Sequence, residues 1–211
     1  VMDCGKDYLS DKAPFTTLEQ VDRAREKVRA TGRIWAVCYS ERVQNEAAVY
    51  AGTLVKNDAI GRVVHVLGTG PHRLSPDTRP EWFYQKEKSG GILCDIGSHQ
   101  IEQFLYYAGA ENAEVTSSRI ANYKYKEQYP EFEDFGEASL LADNGATNYF
   151  RVDWFTPDGL GTWGDGRLFI LGTEGYIELR KYIDVARSPE GDHVIMVNHE
   201  GEHHFEVSGK V

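Results

Sequence analysis

Cysteine is scarce in this chain. Cys4, Cys38 and Cys94 are the only three among 211 residues, odd in number and without CxxC spacing. That argues against a disulfide framework. Cys38 and Cys94 lie in apolar runs (IWAVCY, GGILCD) and read as buried, reduced thiols, so a reducing, cytoplasmic compartment is the expectation. Long apolar runs are also missing: none approaches the ~18 residues of a membrane span, and no membrane partner is expected. Basic residues are outnumbered, 23 Lys and Arg against 33 Asp and Glu, for a net charge of -10. No local basic patch relieves this, which excludes nucleic acid as a partner. A dinucleotide fingerprint is absent too. Gly159-Leu-Gly161-Thr-Trp-Gly164 has GxGxxG spacing, with Asp184 twenty residues on. The motif works only between a strand and a helix, and the segment that follows, RLFILG, is β-type, so the run reads as a loop.

What is present describes an ordinary globular protein, 41% hydrophobic and 27% charged. The chain opens Val1-Met2-Asp3-Cys4, not an evident start, so a preceding N-terminal part is expected. Thr16 and Thr17 are N-cap candidates, with Glu19 and Gln20 three residues on. Leu18, Val21, Ala24 and Val28 then fall at helical spacing and Gly32 stops the helix. The β-type run IWAVCY follows, a rhythm suited to the closing edge of a parallel sheet. Glu46–Val55 reads as a helix and Arg62–Leu67 as a strand. Residues 68–90, rich in Gly, Pro and charge, read as a long loop, and Asp95–Ala108 as a helix ended by Gly109.

After Gly109, strand-like segments follow one another, joined by hairpin signals at Asp143-Asn144-Gly145, Thr173-Glu174-Gly175 and Asn198-His199-Glu200-Gly201. With no helices between them, they are expected to be antiparallel neighbours. The fold class is therefore α+β: a large, mostly antiparallel sheet with helices on one face. Tyr149, Trp154, Phe155, Phe169 and Tyr176 are expected on its other face, which would pack on a copy in an oligomer.

Candidate chemistry gathers in two places. In SGGILCDIGSHQ, Asp95 and His99 are four apart and share a helix face, which Glu102 extends. Gly90 and Gly91 would let backbone approach a ligand, and Gly97 needs close packing or close ligand approach. A histidine can take a proton from an alcohol as hydride leaves, and a carboxylate can orient it. Alone, such a pair is more often a surface ion pair. The second place is Ser10-Asp11-Lys12-Ala13-Pro14, where a lysine leaving a parallel sheet sits beyond the strand ends, where ligands bind. Tyr39 and Arg42 follow the strand end and are substrate candidates, as are His72 and Arg73 in the long loop and Arg167 after WGDG. Trp82 could pack near a nicotinamide. No metal is expected: His203 and His204 are adjacent on a strand and point to opposite faces.

These residues resemble the glucose–fructose oxidoreductase / inositol dehydrogenase / rhizopine catabolism family of two-domain oxidoreductases. GKDYLSDKAP is similar to the family's GKHVxxEKP stretch, with Asp11 in place of the glutamate and Ala13 ahead of the proline. TTLEQVDRAREKVRATGRIWAVCYSER resembles the helix and strand after it. GGILCDIGSHQIEQFLYYAG matches the GGxxxDxGxHxxD helix, and LFILGTEGYIEL the later hairpin. The resemblance implies that residues 1–40 end a Rossmann domain binding NAD or NADP. Residues 41–211 would form a substrate-binding domain that pairs subunits into a homodimer or homotetramer. It implies hydride transfer to or from a sugar, polyol or related secondary alcohol, with Lys12 near nicotinamide and substrate, and Asp95 and His99 catalytic. Two alternatives stay open: a non-catalytic binding or oligomerisation scaffold, and relatives' use of transient oxidation for elimination or glycoside cleavage.

Overall fold

The computed structural model describes residues 1–210. A small N-terminal unit holds β1 (Tyr8–Asp11), α1 (Leu18–Thr31) and β2 (Trp35–Cys38). The two strands pair in parallel, Tyr8 opposite Trp35 through Asp11 opposite Cys38. Thr17 caps α1 by accepting from the Gln20 N–H at 3.3 Å, and Gly32 ends it in the left-handed region at φ 62°. This helix buries none of its residues, and Leu18 is 83% exposed.

The rest of the chain is built on one eight-stranded sheet. Its elements run α2 (Ser40–Val43), α3 (Glu46–Lys56), β3 (Val63–Pro71), α4 (Lys86–Ser89), α5 (Ser98–Ala108), β4 (Ala113–Ala121), β5 (Phe135–Ala142), β6 (Thr147–Asp153), β7 (Arg167–Gly172), β8 (Gly175–Arg180), β9 (His193–Asn198) and β10 (Gly201–Glu206). The hairpin signals join β5 to β6, β7 to β8 and β9 to β10. The strand order is β10-β9-β8-β7-β3-β6-β5-β4. One expectation needs correcting: β6 and β7 are not neighbours. β3 lies between them, antiparallel to β7 and parallel to β6. The earliest strand thus sits mid-sheet, and the residues that leave its end, Pro71 and His72, emerge over the middle of the domain.

One face of the sheet is covered. Phe150, Leu168, Ile170, Ile177 and Leu179 alternate inward and meet Ala47, Ala48 and Ala51 of α3 and Phe104 and Tyr107 of α5, all buried. Burial of this apolar surface is the main stabilising term. On the opposite face Phe155, Phe169 and Tyr176 are exposed, as expected, together with Leu141 and Leu171. Trp154 does not belong with them: it is buried against Phe83 and Phe132. Tyr149 is half-buried and donates to the Glu137 carboxylate at 2.6 Å.

The stretch 68–90 is no loose loop. Its first four residues complete β3, and the remainder folds into three short turns. Phe83 and Tyr84 anchor it in the core, Tyr84 stacking on Tyr129 with ring centroids 3.6 Å apart. The helix expected from Asp95 also begins differently. Leu93–Gly97 is a π-turn that leads into α5. Gly97 is explained by packing, not by a ligand, since a Cβ there would lie 3.2 Å from the Phe150 ring. Gly90 and Gly91 both have φ near 80°, and a Cβ on Gly91 would meet the Glu133 carboxylate at 2.2 Å. That carboxylate accepts from the Ile92 N–H at 3.0 Å. The glycine pair therefore serves the entry of the π-turn. The cysteines are free, with Cys38 and Cys94 half-buried rather than buried.

Candidate active site

A cleft of about 380 Å³ opens where the small unit meets the large sheet, lined among others by Lys12, Glu41, His72, His99, Trp163 and Tyr182. Its residues come from the ends of elements. Lys12 follows β1, Glu41 stands just after β2, His72 follows β3, Trp163 precedes β7 and Tyr182 follows β8. His99 is in the first turn of α5, one turn beyond Asp95. Such element ends are where side chains can leave the hydrogen-bonded ladder and converge.

Lys12 donates from Nζ to Asp95 Oδ1, joining the two regions that the sequence singled out, 83 residues apart. His99 is 2% exposed, and its Nδ1 has no protein partner. The Tyr39 ring lies edge-on to it, centroids 5.8 Å apart. Burial pushes the His99 imidazole down to about 4, against the opposing pull of Glu41. At neutral pH it is an uncharged base. His72 is also lowered by burial; its Nδ1 donates to the Gly70 carbonyl at 3.1 Å, and its Nε2 lies 3.6 Å from Glu41 Oε1.

Glu41 sits beneath the cleft, buried, its Oε2 within 3.3 Å of both Lys181 Nζ and Gln100 Nε2. Lys181 is 1% exposed. Burial works to raise the Glu41 carboxyl, but Lys181, His99 and His72 together outweigh it and hold it below its ordinary range. Its Oε1 has no hydrogen-bond partner.

The structure thus brings Lys12, Asp95, His99, His72 and Tyr39 together. It places other candidates elsewhere, each for a visible reason. Arg42 pairs with Glu102 at 2.7 Å and lies over the Tyr106 ring at 4.0 Å. Arg73 donates to the Pro157 and Leu160 carbonyls at 3.0 and 2.6 Å and so pins the GxGxxG loop. That loop carries no helix, and its contribution to the cleft is Trp163. Arg167 falls on the outer sheet face with Asp165, 3.0 Å from its Nε. Trp82 is half exposed and packs edge-on against Phe83. Sequence reasoning passed over Glu41, Lys181, Trp163 and Tyr182. Lys181 carried a readable signal: it continues the phase of Ile177 and Leu179, so a lysine was in register with the core.

The depressed His99 has a measurable consequence. Unfolded, it takes up a proton near pH 6.5; folded, only near 4. Between those values the unfolded state binds more protons, so stability falls as pH drops from 6.5 towards 4. The full effect is about 3 kcal/mol. Urea unfolding at several pH values should therefore give a steeper acid slope for the native chain than for His99→Gln. Parallel profiles would remove His99 as the source.

Comparison with known proteins identifies the family. The sequence profile of the GFO/IDH/MocA C-terminal domain matches residues 49–178. The chain is 31% identical over 176 residues to scyllo-inositol 2-dehydrogenase (NAD(+)) of Bacillus subtilis (strain 168), covering 82% of this chain and 48% of that protein. The chain thus spans about half the length of this curated relative. A crystal structure from Erwinia carotovora atroseptica SCRI1043, of a protein assigned as an oxidoreductase, superimposes with a TM-score of 0.95 at 57% identity, covering all of this chain and 62% of that one. Levoglucosan dehydrogenase in complex with NADH and levoglucosan shares the fold, with a TM-score of 0.79 at 20% identity, over 97% of this chain and 55% of that one. With the matched domain covering more than half of its residues, the chain belongs to the GFO/IDH/MocA family.

Proposed function

We propose that this chain supplies the substrate site of a nicotinamide-dependent dehydrogenase acting on a sugar, polyol or related secondary alcohol. The observation that carries the reading is a buried, uncharged His99 in the wall of a cleft that Lys12, itself held by Asp95, also lines. In this reading His99 takes the hydroxyl proton from the reacting carbon. Lys12, anchored by Asp95, holds the hydroxyl oxygen and steadies the charge that grows on it. Glu41 and His72 line the cleft as acceptors, and in this reading a second hydroxyl of a polyol donates to one of them. Trp163 and Tyr182 offer flat apolar faces against which a sugar ring packs.

The cofactor is NAD or NADP. When bound, the nicotinamide supplies the hydride acceptor or donor. In this reading Lys12, which lines the cleft, contacts its reacting end. Residues 1–40 are read as the end of the dinucleotide domain and 41–211 as the substrate and pairing domain. The parallel β1–β2 pair and the uncovered apolar flank of α1 support that division. The exposed row Phe169, Leu171 and Tyr176 supports pairing through the open sheet face. Among the described residues no helix is long and apolar enough to cross a membrane.

Two measurements test the proposal. The full-length protein should reduce NAD or NADP with members of a polyol and sugar panel and return a ketone; no turnover across the panel with either cofactor overturns the assignment. Sedimentation of the full-length protein should give a dimer or tetramer, and Phe169→Glu should shift it towards monomer. A monomer at every concentration would sink the pairing face.

A further inference from the structure

The free edge of the large sheet carries a side-chain cluster with no part in the cleft. In the pairing of β9 with β10, His193 stands opposite Glu206 and His204 opposite Ile195. Strand alternation puts His193, His204 and Glu206 on one face. His193 is 5% exposed, while His204 and Glu206 are open to solvent.

The hydrogen bonds of His193 settle its tautomer. Its Nε2 is 3.2 Å from the Glu190 carbonyl oxygen. A carbonyl only accepts, so Nε2 carries the proton and Nδ1 holds a lone pair. That lone pair faces His204 Nε2 at 3.0 Å. A Glu206 carboxylate oxygen joins them, all three atoms lying within 4.8 Å of one another. We propose that His193 Nδ1, His204 Nε2 and Glu206 form a binding site for a divalent ion of the zinc class, with water in the fourth position.

Three observations support this over a simple imidazole–imidazole hydrogen bond. A metal-binding histidine usually donates its other N–H to a carbonyl or carboxylate, which orients the ring, and Glu190 plays that part here. Two imidazoles and one carboxylate suit zinc, cobalt, nickel or copper, whereas magnesium and calcium prefer all-oxygen sets. Two cations continue this cross-strand row, Arg180 opposite His193 on β8 and Arg167 beyond it on β7, and both are already paired, Arg180 with Glu178 and Asp184 and Arg167 with Asp165, so neither is left free to repel the ion. His203, its neighbour in sequence, points to the other face and stacks on Phe205. The histidine partnership thus runs across strands and not along one. A bound ion would tie the edge strand β10 to β9 and to the turn holding Glu190, guarding an otherwise open row of backbone groups.

The test uses full-length protein without an affinity tag, freed of metal by chelation. Titration with Co2+ should give the visible absorption of a tetrahedral nitrogen–oxygen site, saturating at one ion per chain, and Zn2+ should displace it. Zinc should raise the melting temperature of the native chain. His204→Ala and Glu206→Gln lie at an exposed edge where folding tolerates change. Each should weaken zinc binding by more than the roughly 10- to 100-fold that outer-shell substitutions cost. Lack of zinc binding by the native chain overturns the proposal, and so does unchanged affinity in His204→Ala, which would place the ion elsewhere.

Discussion

Replacing His99 by alanine in the full-length protein is expected to lower kcat by roughly 10²- to 10⁴-fold, the usual worth of a positioned general base, while the dissociation constant of the cofactor stays near its native value. The expectation rests on three features of the ring. It lies beside the cleft, its Nδ1 is unpartnered, and burial keeps it uncharged. A base with its lone pair available over a wide pH range should also set the acid limb of kcat/KM well below the ordinary histidine range. Steady-state kinetics from pH 4 to 8 reads both quantities, and cofactor titration by fluorescence supplies the control. His99→Gln, which keeps a polar group of similar reach, should not rescue kcat, because an amide cannot accept and return a proton. A kcat within a fewfold of native in both variants would assign the proton to another group. Lys12→Met should then be compared. It removes the charge that faces Asp95 and would lower kcat through lost charge stabilisation at the reacting oxygen.

Much of this was legible because local patterns agreed with the fold. Thr17 and Gly32 bracket α1, and glycine-containing turns join β5 to β6, β7 to β8 and β9 to β10. Each rests on short-range backbone chemistry that a sequence displays directly. The insertion of β3 between β6 and β7 was not legible. Nothing in RVVHVL says that its partners lie about eighty and a hundred residues away, since pairing is decided by tertiary packing. The π-turn at Leu93–Gly97 escaped for a related reason: i→i+4 and i→i+5 turns leave the same residue pattern, and the choice was made by how closely Gly97 and Gly136 let the turn approach its neighbours. Among site residues, Lys12, Asp95 and His99 stood out through a resemblance, whereas Arg42, Arg73 and Arg167 stood out through charge alone. Arg167 found a carboxylate two residues away, whereas Arg42 and Arg73 found Glu102 and the Pro157 and Leu160 carbonyls, distant in the chain and brought near by the fold. A sequence displays the charge of an arginine but not the tertiary partner that will satisfy it.

The buried pair beneath the cleft gives the second large effect. Lys181→Met is expected to destabilise the protein by roughly 3–5 kcal/mol, because it leaves the buried Glu41 carboxylate without its cation. Glu41 has one further donor, Gln100 at 3.3 Å, which cannot neutralise it. The double variant Glu41→Met/Lys181→Met should recover most of that loss, since paired apolar replacements of similar volume are close to neutral. Urea or thermal unfolding of the four proteins completes the cycle, with a coupling far above the ~0.5 kcal/mol scatter of independent sites. If Lys181→Met alone costs less than about 1 kcal/mol, the pair is not charged in the way the structure indicates. The same cycle separates fold from function. Should the double variant fold as well as the native chain yet bind a polyol more weakly, the ion pair is retained for the acceptor that Glu41 offers the cleft. Stability alone would not have required it, because an apolar floor would have held the domain together equally well.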